Sequence, residues 1–371
     1  MRIILIFSVV FLFYFLQREI YIRKCFDKVS ANLKFDCSEV FKGEALKLTL
    51  TITNKKFIPL WWIGVKYDLS RGISYFDDSE AEVSKDNYRK DVFFMLPYER
   101  LTKSYDIKAV KRGYYNIEQI ELNSGDLFSD TRMLKKISNG SELYVYPRLI
   151  STEQMDIVFN KINGEVITRR NLIEDPFQLR GIREYNSFDS MKNVNWKATA
   201  RSSQLKVNQY ESTCSGGVTI LLNVEKFNDF DDEELIEESI SIAASISAKF
   251  INQGINVEVI SNGADVINGS KIMVQGASTL NKNIEIYEAL SLLHIGNTKV
   301  PLIDLINEEI TLKRKDRIIL LISHYYKNDI IEEYMEKQMQ GFSVKWILPK
   351  KDDKNLPPEG IEQLYLWEVQ Y

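Results

Sequence analysis

The hydrophobic rhythm changes once along the chain, and that change limits the fold more than any single residue does. From Ser30 to about Pro147 apolar residues recur at every second position. In "ALKLTLTIT", Leu46, Leu48, Leu50 and Ile52 fall on one face, and Lys47, Thr49, Thr51 and Thr53 on the other. That alternation marks a strand buried on one side only. "WWIGVKYDL", the trio Tyr105, Ile107 and Ala109, "RGYYNIEQIEL" and "ELYVYP" repeat it. Short strands separated by turn residues predict an antiparallel, Ig-like β-sandwich over residues 30–149.

After Gly217 the pattern is different. "VTILLNV" and "RIILLIS" are continuous apolar runs, as expected of strands covered on both faces. Between them Ile236, Ile240, Ala243, Ser247 and Phe250 recur at helical spacing, and Gly254 is a natural stop. "NIEIYEALSLLHI", "PLIDLINEEI" and "NDIIEEYMEKQMQG" read as further helices, and "NVEVISNG", "KIMVQG" and "SVKWILP" as further strands. Alternation of this kind predicts an α/β domain with a mostly parallel sheet over residues 216–371. Residues 150–215 are left as a connecting segment.

At the N-terminus Ile3 to Leu16 read "IILIFSVVFLFYFL" without a charge. The run is short for a span of about 20 residues, but Ile20, Tyr21 and Ile22 extend it. No small-x-small cleavage site follows. Residues 1–24 are therefore expected to be a membrane anchor with a single visible span. Arg18, Arg23, Lys24 and Lys28 lie after the run and only Arg2 before it, which predicts a cytoplasmic body. Three cysteines, Cys25, Cys37 and Cys214, without a C-x-x-C pair, fit a reducing compartment. A net charge of −4 gives no chain-wide footprint for nucleic acid, so none is expected as partner.

Catalytic signatures are missing from the chain: it has no G-x-S-x-G, no phosphate loop, no dinucleotide fingerprint and no H-E-x-x-H. The two histidines are His294, expected on a helix, and His324, at the end of "RIILLIS". Ligands of open α/β sheets bind beyond the carboxyl ends of the strands. A metal-dependent adhesion site there needs an Asp followed by serines, and this chain has Asn223, Glu225 and Lys226. The acidic run Asp229 to Glu234 reads as a solvated helix start. No metal and no cofactor are expected.

The densest chemistry lies in "IREYNSFDSMKNVNWKATARSSQ", residues 182–204. Between Arg169 and Lys206 eight basic residues face four acids, a local +4 in a chain of −4. Three readings stay open. As a catalytic site the stretch has Asp189, Glu184 and Arg201 but no nucleophile paired with a base. As a docking site it has the Arg, Tyr and Trp of interface hot spots. As scaffolding, Arg183 or Arg201 clamps Asp189 or Glu184, and Trp196 packs between domains.

The same stretch resembles the signature of domain-of-unknown-function family 58, R-E-Y-x-x-G-D…R-x-I-x-W-x-x-[ST]-A-R…L. Arg183, Glu184, Tyr185, Asp189, Trp196, Lys197, Ala200, Arg201 and Leu205 match it. Phe188 stands where the family has Gly, Lys192 where it has Arg, and Val194 where it has Ile. Members have two N-terminal spans, against one visible here. The resemblance implies a von Willebrand factor type A-like C-terminal domain and a non-enzymatic, membrane-anchored adaptor. It also implies action with a MoxR-type AAA+ ATPase in assembling or activating other complexes. A hydrolase with an interdomain site and an envelope adhesion-type protein are the alternatives.

Overall fold

Alternation and continuous burial sort the strands into two units, Met1–Arg148 and Leu149–Tyr371. The computed structural model describes residues 2–76, 88–125, 132–172, 174–186, 189–212, 216–226, 232–277, 279, 281–351 and 361–369.

The first unit begins with helix α1 (Arg2–Lys24). Among the described residues nine strands follow: β1 (Val29–Phe35), β2 (Glu39–Phe41), β3 (Ala45–Asn54), β4 (Leu60–Asp68), β5 (Ile73–Tyr75), β6 (Tyr88–Met95), β7 (Arg100–Ala109), β8 (Gly113–Gly125) and β9 (Arg132–Tyr146). They form one sheet in the order β1-β3-β7-β5 and another in the order β2-β9-β8-β4-β6. Leu46, Leu48, Leu50 and Ile52 of the first sheet and Ile63, Val65, Ile120 and Leu122 of the second share one core, so the unit is an Ig-like β-sandwich. The exposed edge of β1 is covered by side chains instead of a strand. The Asn139 amide accepts from Leu33 N (2.9 Å) and donates to Leu33 O (2.8 Å), imitating a neighbouring peptide group.

Helix α1 corrects the expected membrane anchor. Among the described residues no helix is long and apolar enough to cross a membrane. The uncharged run 3–16 rises only about 21 Å as a helix, short of a hydrocarbon core of about 30 Å. The last two turns cannot lengthen it. They carry Arg18, Glu19, Arg23 and Lys24, with Arg23 paired to Glu19 at 2.7 Å. Tyr21 and, just beyond the helix, Cys25 are buried in the sandwich core. The Tyr21 hydroxyl donates to Pro59 O, and the Lys56 ammonium donates to the Cys25 carbonyl. Helix α1 is therefore not the expected N-terminal span, and the expected membrane location, membrane partner and orientation fall with it.

The second unit opens with α2 (Glu153–Leu172), a helix inside the stretch read as a connector. Strand β10 (Glu174–Glu184), α3 (Trp196–Ser202) and β11 (Lys206–Ser212) follow, then β12 (Val218–Leu222), α4 (Asp232–Asn252), β13 (Val257–Asp265), β14 (Lys271–Ala277), α5 (Asn281–Ser291), β15 (Leu293–Thr298), α6 (Leu302–Glu309), β16 (Ile318–Ile322), α7 (Asn328–Met339), β17 (Ser343–Lys350) and β18 (Leu364–Glu368). The main sheet runs β14-β13-β12-β16-β17-β18, parallel from β13 to β18, with β14 and β15 both antiparallel to β13. All five residues of β12 and of β16 are buried. Leu221, Ile319, Leu321, Val344 and Trp346 pack on one face with α6 and α7. His294, expected on a helix, lies in β15 opposite Ala264.

Charged side chains bind the amino ends of these strands together. Arg314 grips Glu258 with two bonds (2.9 and 3.1 Å) and pairs with Glu309 at 2.9 Å. Arg317 donates to Thr219 (2.8 Å) and Val218 O (2.9 Å), and Thr219 donates to Glu258 (3.1 Å).

Candidate functional site

The signature residues form a small structure of their own. Strands β10 and β11 pair antiparallel, setting Arg183 opposite Val207 and Glu184 opposite Lys206. The excursion between them holds a 3-10 turn, Met191–Asn193, and α3. Val194 bridges to Val207, and both are buried, which gives the excursion a minimal core. Asn195 is the hub. Its Oδ1 caps α3 by accepting from Ala198 N (2.9 Å), its Nδ2 donates to Asn208 (2.7 Å), and its main-chain N donates to Lys206 O (2.8 Å). Thr199 accepts from Lys206 N (3.0 Å), and Ser203, in the left-handed region at φ 55°, ends the helix.

Arg183 and Asp189 make the clamp foreseen for scaffolding. The guanidinium donates to both carboxylate oxygens (2.7 and 2.6 Å) and to Glu184 O (3.0 Å). Asn186 N adds a third bond to Asp189 (2.8 Å). The Arg183 hydrogen bonds, then that main-chain bond, hold the Asp189 carboxyl below the ordinary range. A carboxylate so tied is neither a proton donor near neutral pH nor a strong base.

The other candidates are placed differently. Glu184 is exposed and pairs with Lys206 at 3.2 Å, instead of with an arginine. Tyr185 is half-buried and joins the hairpin through its main-chain N, which donates to Leu205 O (3.0 Å). Trp196 is 64% exposed. Arg201 is exposed, and among the described residues it has no ion pair. Phe188 and Cys214 lie outside the described residues, as do Asp229 to Asp231 of the acidic run.

A second cluster lies at the carboxyl ends of β12, β13 and β16, where strand order reverses. Asn223 follows β12, and its Nδ2 donates to Ser323 (3.0 Å) beyond β16. Its Oδ1 accepts from Asn262 Nδ2 (2.7 Å) and Glu225 N (3.1 Å). Asn262 Oδ1 accepts from Val224 N (2.9 Å). All three side-chain partners are fully buried. The Glu225 carboxylate accepts from Leu302 N (3.2 Å) and so caps α6, whose Pro301 provides no side-chain cap. Burial, then the charge and hydrogen bond of Glu225, push the Tyr325 phenol up. His324 is buried edge-on against Tyr325.

This donor set does not fit a dication. A hard cation needs several oxygens free to turn towards it. The Asn223 oxygen is already saturated by two N–H groups, and no group of three or more His, Cys, Asp or Glu is clustered among the described residues. The sequence reading takes Asn223 and Glu225 only as replacements for metal ligands and misses their partners Asn262 and Ser323, which the strand register brings beside them. Leu222 lies in register with Ser261 and Ile322, so Asn223, Asn262 and Ser323 are the next row of three adjacent strands.

No family model matches the chain. The uncharacterized protein YeaD of Bacillus subtilis (strain 168) is 22% identical over 238 residues, covering 63% of this chain and 56% of that one. The chain thus spans about half the length of the curated relative it matches. Among solved structures, a non-cellulosomal cohesin from Archaeoglobus fulgidus is similar over 35% of this chain and 96% of its own, at 11% identity and TM-score 0.21. The major pilin SpaD of Corynebacterium diphtheriae is similar over 31% of this chain and 34% of its own, at 7% identity and TM-score 0.25. Likenesses this loose carry no argument about the chain.

Proposed function

We propose that the chain is a non-enzymatic protein-binding adaptor that works with a MoxR-type AAA+ ATPase in assembling or activating other complexes. Its resemblance to domain-of-unknown-function family 58 supports this reading, with the second unit as a von Willebrand type A-like domain stripped of metal-site chemistry. One observation carries it: the signature divides into a clamp and a display. Arg183, Asp189 and Asn195 spend their polar atoms inside the hairpin. Trp196, Lys197, Ala200 and Arg201 are exposed on one side of α3. Scaffolding and docking are then two halves of one device, in which a rigid hairpin presents an aromatic and basic face.

The test is a pull-down with a purified MoxR-type AAA+ ATPase. Wild type retains the ATPase. Trp196→Ala and Arg201→Ala lose it while keeping the wild-type circular dichroism, because they remove displayed groups only. Asp189→Ala loses it by loosening the hairpin, seen as faster amide exchange at Asn186. Undiminished retention by Trp196→Ala and Arg201→Ala, or turnover of a substrate by the wild type, overturns the reading.

A further inference from the structure

Charge on the displayed face is unbalanced, and the imbalance identifies what the face meets. Between Arg183 and Lys206 there are five basic residues and two acids. Both acids are consumed within the hairpin, Asp189 by Arg183 and Glu184 by Lys206. Lys192, Lys197 and Arg201 remain, all exposed and none with an ion pair among the described residues.

Their placement works against the helix that carries two of them. Lys197 and Arg201 are one turn apart, a like-charge spacing that destabilises a helix. Lys197 is also in the first turn of α3, where the helix dipole disfavours a cation and where no acidic residue offsets it. A seven-residue helix has little stability to spare, and capping by Asn195 and the Thr199 bond hold it in place. Folding does not need these two cations on this face.

Resting on the docking reading, we infer that the outer face of α3 recognises an acidic helical segment of a partner protein, with two carboxylates one turn apart and an apolar side chain between them. Cβ atoms at i and i+4 are about 5–6 Å apart on either helix, so a Glu pair at that spacing meets Lys197 and Arg201 together. Arg201 can take a carboxylate with both arms of its guanidinium. Ala200, small and exposed one turn from exposed Trp196, leaves room for the partner's apolar side chain against the indole. Lys192, next to exposed Met191, extends the positive rim. A protein is the better match than a nucleic acid, because phosphate backbones are met by basic stripes and this chain carries net −4.

The experiment uses the full chain and three fluorescein-labelled probes in anisotropy titrations: a helical peptide with Glu at i and i+4 flanking a Leu, the same peptide with Gln for Glu, and an oligo-dT single strand. The Glu peptide binds at least tenfold more tightly than the Gln peptide, and its affinity falls as salt is raised. Lys197→Glu with Arg201→Glu abolishes that preference while circular dichroism stays unchanged. Equal binding of the two peptides, no binding of the Glu peptide, indifference to the charge reversal, or tighter binding of oligo-dT overturns the inference. Retention of the ATPase that Trp196→Ala removes and the charge reversal leaves intact sinks the acidic partner but spares the adaptor. Binding of the Glu peptide by a wild type that never retains the ATPase does the reverse.

Discussion

The two ends of the second unit's sheet are tied by opposite chemistry. At the amino ends of the strands Glu258, Arg314, Arg317 and Glu309 form a charged lattice. At the carboxyl ends Asn223, Asn262 and Ser323 form a neutral one. Both satisfy buried polar groups, yet only the carboxyl end is where open α/β sheets take ligands. Charge locks the strands at one end, and amides and a hydroxyl lock them at the other. The difference teaches that this edge is closed by its own hydrogen bonds, whereas Trp196, Lys197 and Arg201 of α3 stand exposed.

Breaking the charged end has the largest effect. Glu258→Ala leaves Arg314 and Arg317 without their shared carboxylate, and stripping one partner from a buried ion pair costs about 3–5 kcal/mol. The measurement is denaturant unfolding followed by fluorescence, since Trp346 and Trp367 are both buried in this unit. Burial pushes the Glu258 carboxyl up, but the Arg314 hydrogen bonds and charge, then Arg317 and Thr219, outweigh it and hold it below the ordinary range. Its pairing therefore stabilises the fold fully above the unfolded value of about 4.3 and is lost as pH falls through the lower folded value. Glu258→Gln flattens the acid limb of a stability–pH curve in that window, and an unchanged limb contradicts the assignment.

The neutral end breaks more gently. Asn223→Ala takes the acceptor from Asn262 Nδ2 and Glu225 N, while Ser323 Oγ keeps its bonds to Tyr325, with an expected loss of about 1–3 kcal/mol in the same unfolding experiment. Asn223→Asp sharpens the contrast. The introduced carboxyl is buried beside Glu225, so both burial and a like charge raise its pKa. Its penalty is present above the unfolded value and disappears as pH falls below it. Acid thus relieves Asn223→Asp where it weakens the wild-type Glu258 lattice, and curves of the same sign at both ends would refute the comparison.

Legibility followed periodicity. Leu46 to Ile52 showed their burial by alternation, and Ile236, Ile240, Ala243, Ser247 and Phe250, all 0% exposed, showed theirs by helical spacing. Met155, Val158, Phe159, Ile162 and Val166 of α2 carry a comparable stripe, buried in the structure, within the stretch that reads as a connector in the sequence. In "SLLHIG" a short apolar run does not distinguish helix from strand, and α5 stops at Ser291 before β15 begins. Helix α1 misled because hydrophobicity says how apolar a run is, and not that Tyr21 and Cys25 are fastened into a β-sandwich. At the candidate site the Arg183–Asp189 clamp followed from complementary charge. The exposure of Trp196 did not, because a tryptophan in a sequence carries no mark of which side of a seven-residue helix it will occupy.

The smallest expected effect is that of divalent cations on the wild type. A ligand stabilises the native state only in proportion to its occupancy there, so binding at the carboxyl edge would raise the melting midpoint as cation concentration passes the dissociation constant. To bind, a cation would have to take the Asn223 oxygen from Asn262 Nδ2 and Glu225 N and leave the Asn223 Nδ2 group facing its positive charge. It would also compete with the α6 amino terminus and the Tyr325 hydroxyl for the Glu225 carboxylate. Each exchange breaks a satisfied hydrogen bond, fully buried in the case of Asn262, and the one carboxylate gained is too few for calcium or magnesium. Millimolar calcium or magnesium is therefore expected to leave the unfolding midpoint of the second unit where it stands in EDTA. A rise that Asn223→Ala removes would show that the neutral end opens to a metal after all, and would erase the distinction between the two ends of the sheet.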